Sequence, residues 1–410
     1  MKLLFILDSV EFPLAPTPAL ARRCAAVLAQ AGHEVHLLEL HDGQTLPPKA
    51  EGCTRTLLAF EDERVMNQLL EFGRPGGTPV WLRLARLSLR PRAAWAAVRQ
   101  IALHHPRRVS AARRAIEQLN QQHRFDAAIA VAAPYAASFA LQKAMVRCKK
   151  ASWQMDPYAA NQDYQAPGAY QRERQLCAAM DRLFVTPLMA RDYAPGAPLA
   201  DFAAKMQVLD FPSLVPLPQQ PQAASHGPLR CVFAGSLYPS LRTPHFALEL
   251  FCALNDPQVE LVFVGGGWEH YPPQLVEDAR RILGQRLTIT GPLSPQQAAE
   301  QLARADVLLN LGNAVDNQVP SKLFEYFAAG KPVLHLGKLA QDPCLPYLER
   351  WPLSLCLLEQ QGCPPQVLGQ LAEFLHHSSR CRIPFEQTQA LFAANTPQQV
   401  ASQLTAAFQE

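Results

Sequence analysis

Short, unbroken apolar runs alternate with longer segments of helical periodicity along the chain. The opening run, Met1-Lys-Leu-Leu-Phe-Ile-Leu-Asp8, has the length of a buried strand. It is too short for the core of a secretory signal, and Asp8 and Glu11 follow it with no small-residue cleavage site. A helix is expected from about residue 18 to 31, stopped by Gly32, and a second strand over His33–Leu40. Strand, helix, strand in that order predicts a parallel sheet. Further strands are expected at 126–131, 150–155, 182–186 and 206–210. After the polar stretch Gln219–Gly227 the scheme starts again, with strands near 229–235, 260–265, 286–290, 306–311 and 332–336. The pattern predicts an α/β protein of two doubly wound domains, residues 1–216 and 228–380, joined by a short linker. In the tail 381–410, Val400, Leu404 and Phe408 fall on one helical face.

Composition agrees with this picture and narrows it little. A chain of 410 residues suits two domains, each with its own core. It is 49% hydrophobic and 18% charged, as expected for a folded globular protein, and a net charge of +3 does not imply nucleic acid. No run of about 20 apolar residues is present, so no membrane span is expected. The 36 prolines are well above the roughly 5% average and punctuate loops without forming a tract. The 10 cysteines are scattered with no Cys-x-x-Cys pair, which reads as reduced thiols in a cytoplasmic protein.

The most informative stretch is Val319-Pro-Ser-Lys-Leu-Phe-Glu-Tyr-Phe-Ala-Ala-Gly-Lys-Pro-Val-Leu334. Pro320 suits a helix entry, Gly330 a helix end, and Pro332 prevents continuation. A helix beginning near Ser321 would present free N–H groups to an anion, and Lys322 adds charge there. Glu325, one turn on, is placed to accept hydrogen bonds from a pair of hydroxyls; the alternative is a capping or solvated glutamate. An anion cradle beside a diol acceptor suits the diphosphate and ribose of a nucleotide.

Four segments in order, Phe-Ala-Gly-Ser-Leu-Tyr-Pro-Ser-Leu-Arg-Thr-Pro (233–244), Phe-Val-Gly-Gly-Gly (263–267), Ala-Asp-Val-Leu-Leu-Asn (305–310) and Pro-Ser-Lys-Leu-Phe-Glu-Tyr (320–326), resemble the donor-binding half of glycosyltransferase family 4. The resemblance covers about residues 228–336. It implies the GT-B fold, two facing Rossmann-like domains with the C-terminal helix crossing back to the first. It also implies a nucleotide-diphosphate sugar as donor substrate, with no cofactor, and retention of anomeric configuration. Gly235, Ser236, Arg242, Ser321 and Lys322 are then expected under the diphosphate and Glu325 at the ribose. Gly265, Gly266, Gly267 and Asp316 are expected near the base or sugar. Arg242 has an alternative as a surface arginine, and the three glycines as ordinary turn residues. The family signature has two glutamates eight positions apart, and the first of them corresponds here to Asn317, which carries no charge for a cation-like transition state. No Asp-x-Asp metal motif appears, and charge from Arg242 and Lys322 on the leaving diphosphate can replace a metal.

The first half says less. The histidine the family often places after the strand 126–131 is absent, and Ala132-Ala-Pro-Tyr135 stands there. Tyr135 is either an acceptor-side contact or a packing residue. Asp156, at the end of Trp153-Gln-Met-Asp156, is a candidate base or acceptor-hydroxyl binder, or else a carboxylate capping its own loop. Residues 74–114 hold ten arginines with no Asp or Glu, among Trp81, Leu82, Leu84, Leu87, Leu89 and Trp95. Such a segment suits an anionic membrane surface and a lipid-linked acceptor, or is a solvated basic face; no RNA-binding motif accompanies it. The expected activity is transfer of a sugar to a glycan or lipid-linked acceptor, on the cytoplasmic side of a membrane. The alternatives are a non-catalytic GT-B-like binding subunit and a sugar-nucleotide epimerase.

Overall fold

The computed structural model describes residues 1–10, 16–60, 105–160, 168–217, 227–320 and 322–409. The chain forms two compact units: Met1–Ser213 with Ala394–Glu410, and Leu214–Ala393. Unit 1 contains β1 (Lys2–Asp8), α1 (Pro16–Gln30), β2 (Glu34–His41), β3 (Thr54–Ala59), α2 (Pro106–His123), β4 (Ala127–Ala132), α3 (Ala136–Lys143), β5 (Lys149–Gln154), α4 (Ala169–Ala179), β6 (Arg182–Val185) and β7 (Met206–Val208). Unit 2 contains β8 (Leu229–Ala234), α5 (His245–Leu254), β9 (Val259–Val264), α6 (Pro273–Leu283), β10 (Leu287–Ile289), α7 (Pro295–Ala303), β11 (Val307–Leu311), α8 (Lys322–Ala328), β12 (Val333–Gly337), α9 (Leu345–Leu348), β13 (Ser354–Leu358), α10 (Pro365–Ser378) and α11 (Phe385–Leu391). The chain then returns to unit 1 as α12 (Pro397–Ala406).

Both sheets are wholly parallel, in the orders β3-β2-β1-β4-β5-β6-β7 and β10-β9-β8-β11-β12-β13. Strand order therefore reverses between β1 and β4 in one sheet and between β8 and β11 in the other. Burial on both faces explains the unbroken apolar runs, since no face is left for polar alternation. In unit 1, Leu4, Ile6 and Ala130 pack with α2, α3 and α4, while Leu3, Phe5 and Trp153 pack with α1 and α12. Val400 and Leu404 of α12 are buried there, and the Phe408 ring meets Phe184 at 5.9 Å.

Three expectations need correction. β3 was not anticipated: it lies at the sheet edge, so its Leu57 and Leu58 are only partly covered and Arg55 interrupts the apolar run. β13 shows in the sequence only as the apolar run around Cys356. Residues 381–393, grouped with the returning tail on sequence, pack in unit 2. The Phe392 ring stacks on Phe327 at 4.5 Å, and the Ile383 N–H bonds the Gly330 carbonyl at 2.9 Å. Gly330 has φ +65°, and a Cβ there would collide with the Ile383 carbonyl, so the glycine that ends α8 also admits this crossing. Residues 11–15, 74–104 and the linker stretch 218–226 lie outside the described residues.

A lysine ammonium closes a helix end in each unit. Lys205 donates to the carbonyls of Cys177, Ala178 and Met180 at 3.3, 2.9 and 2.7 Å, at the end of α4. Lys331 does the same for α7, to Leu302, Ala303 and Ala305 at 2.9, 2.6 and 2.7 Å. Cations at the negative end of a helix satisfy carbonyls that have no partner within it.

The carboxyl ends of β1 and β2 carry buried carboxylates that are each paired with arginine. Asp8 and Arg108 of α2 are both 0% exposed and meet at 2.9 Å. Glu39 takes Arg22 at 2.5 Å and Arg55 at 2.6 Å. Arg108 thus belongs to the core, not to a basic outer face, although it lies within the arginine-rich run. Arg108→Ala leaves the Asp8 carboxylate buried without this partner and is expected to destabilise the fold by about 3–5 kcal/mol in denaturant titrations. A loss below about 1 kcal/mol would show the pair to be solvated.

Glu173 of α4 is 3% exposed, and its carboxylate accepts the Ala159 N–H at 3.1 Å. Burial pushes its pKa up to about 7, with nearby Asp192 adding to the rise against the hydrogen bonds from Ala159 and Tyr158. The folded state therefore holds a proton between about pH 4.5 and 7 that the unfolded chain releases, and stability falls as pH rises through that window. At roughly 1.4 kcal/mol per pH unit the loss amounts to about 3 kcal/mol. Glu173→Gln is expected to flatten this decline when unfolding free energies are compared with wild type from pH 4.5 to 7.5; parallel curves would refute it.

Candidate functional site

In an open parallel sheet, ligands sit beyond the carboxyl ends of the strands, where strand order reverses. In unit 2 the loops leaving β8 and β11 begin at Gly235 and Gly312 and flank that point. Beyond β8 the chain makes a tight turn. The Tyr238 N–H bonds the Arg242 carbonyl at 2.9 Å, and the Arg242 N–H bonds the Tyr238 carbonyl at 2.7 Å. The Tyr271 hydroxyl also donates to the Arg242 carbonyl, at 3.3 Å. The Arg242 guanidinium donates through Nη2 to Asn313 Oδ1 at 2.8 Å. Its Nη1 lies beside the Gly235 backbone, 3.6 Å from where a Cβ would stand.

Helix α8 fastens itself to the last peptide of β8 through two residues one turn apart. Lys322 Nζ donates to the Ala234 carbonyl at 2.6 Å, and the Tyr326 hydroxyl accepts the Ala234 N–H at 3.4 Å. Leu323, Phe324 and Phe327 provide the buried face of the same helix. Burial lowers the Lys322 pKa and Arg242 lowers it further, against the opposing pull of half-buried Glu325. Burial acts in the same direction on Arg242, which still keeps its charge. Among the described residues, neither cation forms a salt bridge with a carboxylate, whereas Arg22 and Arg108 at the strand ends of unit 1 each do.

Two of the three glycines after β9 are required by the packing of the strand-end loops themselves. Gly265 and Gly267 have φ +133° and +99°. A Cβ on either would strike a backbone carbonyl, that of Gly235 or that of Leu237. The loops interlock through Gly235 N–H to Val264 O at 2.8 Å, Leu237 N–H to Gly266 O at 2.9 Å and Gly265 N–H to Gly291 O at 3.0 Å. The glycines let successive strand-end loops lie backbone to backbone, and so fix the turn that carries Arg242.

Gly235, Gly265, Arg242, Lys322 and Glu325 are thus brought together around the end of β8. Ser236 is exposed on the turn, Asp316 is exposed and Asn317 half-buried on the loop after β11, and Ser321 lies outside the described residues. Tyr135 and Asp156 belong to unit 1. Tyr135 is core: it is buried against Phe139 and Tyr158, and its hydroxyl donates to the Asp156 carbonyl at 2.6 Å. Asp156 is half-buried at the end of β5. The sequence reading passed over Asn313, which holds Arg242, and Tyr326. It also passed over a buried polar group on the α8 side of the sheet, Asn310, His335 and Asp342. Polar residues inside otherwise apolar strands, Leu-Leu-Asn310-Leu and Val-Leu-His335-Leu, were the available signal.

Residues 228–338 match the model of the family described as Glycosyl transferases group 1. No curated protein matches the sequence. Among solved structures, the chain is similar to sucrose-phosphate synthase from Thermosynechococcus elongatus, with 15% identity, TM-score 0.59 and coverage of 100% of this chain and 98% of that one. It is similar to HepE of Anabaena in complex with UDP, with 13% identity, TM-score 0.58 and 100% of both chains covered. It is also similar to UDP-GlcNAc 2-epimerase from Methanocaldococcus jannaschii, with 10% identity, TM-score 0.50 and coverage of 99% and 100%. With two parallel sheets wound in this order and the family segment spanning β8 to β12, the chain is a GT-B-fold protein carrying a glycosyl transferases group 1 segment in unit 2.

Proposed function

We propose that the chain is a glycosyltransferase that moves a sugar from a nucleotide-diphosphate donor to a glycan or lipid-linked acceptor. The observation that carries this reading is the pair of cations at the end of β8, Arg242 and Lys322, with no carboxylate in salt-bridge contact among the described residues. Two partly desolvated positive charges gain most from a dianionic ligand, and a diphosphate supplies it. As the glycosidic bond breaks, charge builds on the departing diphosphate, and these cations stabilise it without a metal. Glu325 accepts hydrogen bonds from the ribose hydroxyls. The family segment over 228–338 and the UDP held by HepE support a nucleotide donor.

The resemblance favours retention, with the acceptor approaching the face that the leaving group vacates. In unit 1, Asp156 is the acceptor-side candidate, and Tyr135 serves it by holding its backbone. A lipid-linked acceptor would place the protein at the cytoplasmic membrane face, where arginines between 74 and 114 meet anionic headgroups; Arg108 is not among those available. No helix among the described residues is long and apolar enough to cross a membrane. Asn317, standing where a carboxylate is expected, favours a second reading as a nucleotide-sugar-binding subunit without turnover. The likeness to an epimerase concerns the fold alone.

Calorimetry with a panel of nucleotide-diphosphate sugars tests the donor site. Glu325→Ala is expected to weaken binding about 10- to 100-fold, as the loss of roughly 1.5–3 kcal/mol of charge-assisted hydrogen bonding requires. Arg242→Ala should weaken the intact donor and the free nucleoside diphosphate alike. Unchanged affinity in both variants would sink the assignment. Donor binding without transfer or hydrolysis would select the non-catalytic reading.

A further inference from the structure

The two faces of the second sheet differ in chemistry at their carboxyl end. Cys231, Phe233, Leu309, Leu311, Leu334 and Leu336 are buried in an apolar core on one side. On the other, Asn310 and His335 are neighbours in register across β11 and β12, and Asn310 Nδ2 meets His335 Nδ1 at 2.8 Å. His335 Nε2 faces Asp342 Oδ2 at 3.2 Å, and both side chains are 0% exposed. Asp342 Oδ1 accepts the Cys344 N–H at 2.8 Å. The Asp342 carboxylate also lies against Gly312, where a Cβ would stand 2.6 Å from Oδ2. The residue after Gly312 is Asn313, which holds Arg242.

We propose that His335 and Asp342 are positioning residues for Arg242: together they set the backbone at 310–313, so that Asn313 presents Arg242 to the diphosphate. The proposal rests on the reading of Arg242 as a diphosphate ligand. Two buried polar groups in an apolar layer are unfavourable unless each has a partner, and here the imidazole and the carboxylate face each other in ion-pair contact without the alignment of a hydrogen bond. Asn310 fixes the ring by donating to Nδ1, which places the ring hydrogen on Nε2, 3.2 Å from the Asp342 carboxylate. Asp342, held from two sides, forms the wall against which Gly312 packs. Loss of either residue frees the loop and lets the guanidinium leave its aim without removing it.

A double-mutant cycle read by calorimetry tests this, with UDP, GDP, ADP and dTDP as probes and the one bound most tightly by wild type carried forward. The variants are R242A, H335A, D342A and the doubles R242A/H335A and R242A/D342A. D342N serves as a second variant should D342A fail to fold, and thermal melts check each. H335A and D342A are expected to weaken the nucleoside diphosphate about 10-fold alone, and by less than 2-fold when Arg242 is already absent. Losses that persist in full in the R242A background, or affinity unchanged in folded H335A and D342A, would overturn the positioning role. Should R242A itself bind as wild type does, or should wild type bind none of the four, the reading of the diphosphate site fails and this proposal with it.

Discussion

A pair of cations at the end of β8, neither in salt-bridge contact with a carboxylate among the described residues and only partly offset by Glu325, is the feature on which the functional reading of unit 2 depends. In unit 1, the strand ends bring Asp8 to Arg108 and Glu39 to Arg22 and Arg55, so each of these cations meets a carboxylate directly. At the corresponding end of the second sheet, Arg242 meets an amide and Lys322 a carbonyl. Both are neutral acceptors that orient a cation without cancelling its field. Burying a charge is costly, as the Lys322 pKa lowered by burial records, and neighbouring Arg242 adds to that cost against the pull of Glu325. A polyanion removes that cost, so free energy stored in the fold appears as affinity.

For that charge to be useful it must be held still. The means is backbone on backbone: loops after β8, β9 and β10 are joined by amide-to-carbonyl bonds from Gly235, Leu237 and Gly265. Such contacts require glycine where a Cβ would meet a carbonyl, and they have no rotamers to lose. Lys331 supports the same region from the other end of the unit, tying the end of α7 to the start of β12. The result is a fixed frame around which Arg242, Lys322 and Glu325 gather, the arrangement that the proposed preorganised site requires.

The parts of this arrangement legible in the sequence were those written by local rules. Pro320 and Gly330 bracket α8 because helix entry and exit depend on neighbouring residues, and unbroken apolar runs mark strands buried on both faces. β3 escaped notice because an edge strand is only half covered and need not be apolar. Asn313, His335 and Asp342 were illegible for another reason: their meaning lies in partners 71, 25 and 7 residues away, set by strand register and loop path. The glycines at 265–267 fall between these cases. Their freedom of conformation was readable, but the neighbour that exploits it, the Gly235 loop, becomes apparent only once the sheet is assembled.

Asn317 bears on chemistry more than on binding. On the proposed reading, a carboxylate at that position would place negative charge near the sugar carbon and partly offset Arg242 and Lys322. With an amide there, the field at the site is more strongly positive, which favours holding the donor diphosphate and equally favours holding the product. On the proposed reading, cations acting on the leaving oxygen would weaken the bond to the sugar, and this assistance does not require a charge at residue 317. The neutral residue instead shifts the burden of stabilising a cation-like sugar to the departing diphosphate itself. A site built this way discriminates by how well the leaving group is gripped, which is why the aim of Arg242, and the buried residues that set it, matter more here than the identity of any single group beside the sugar.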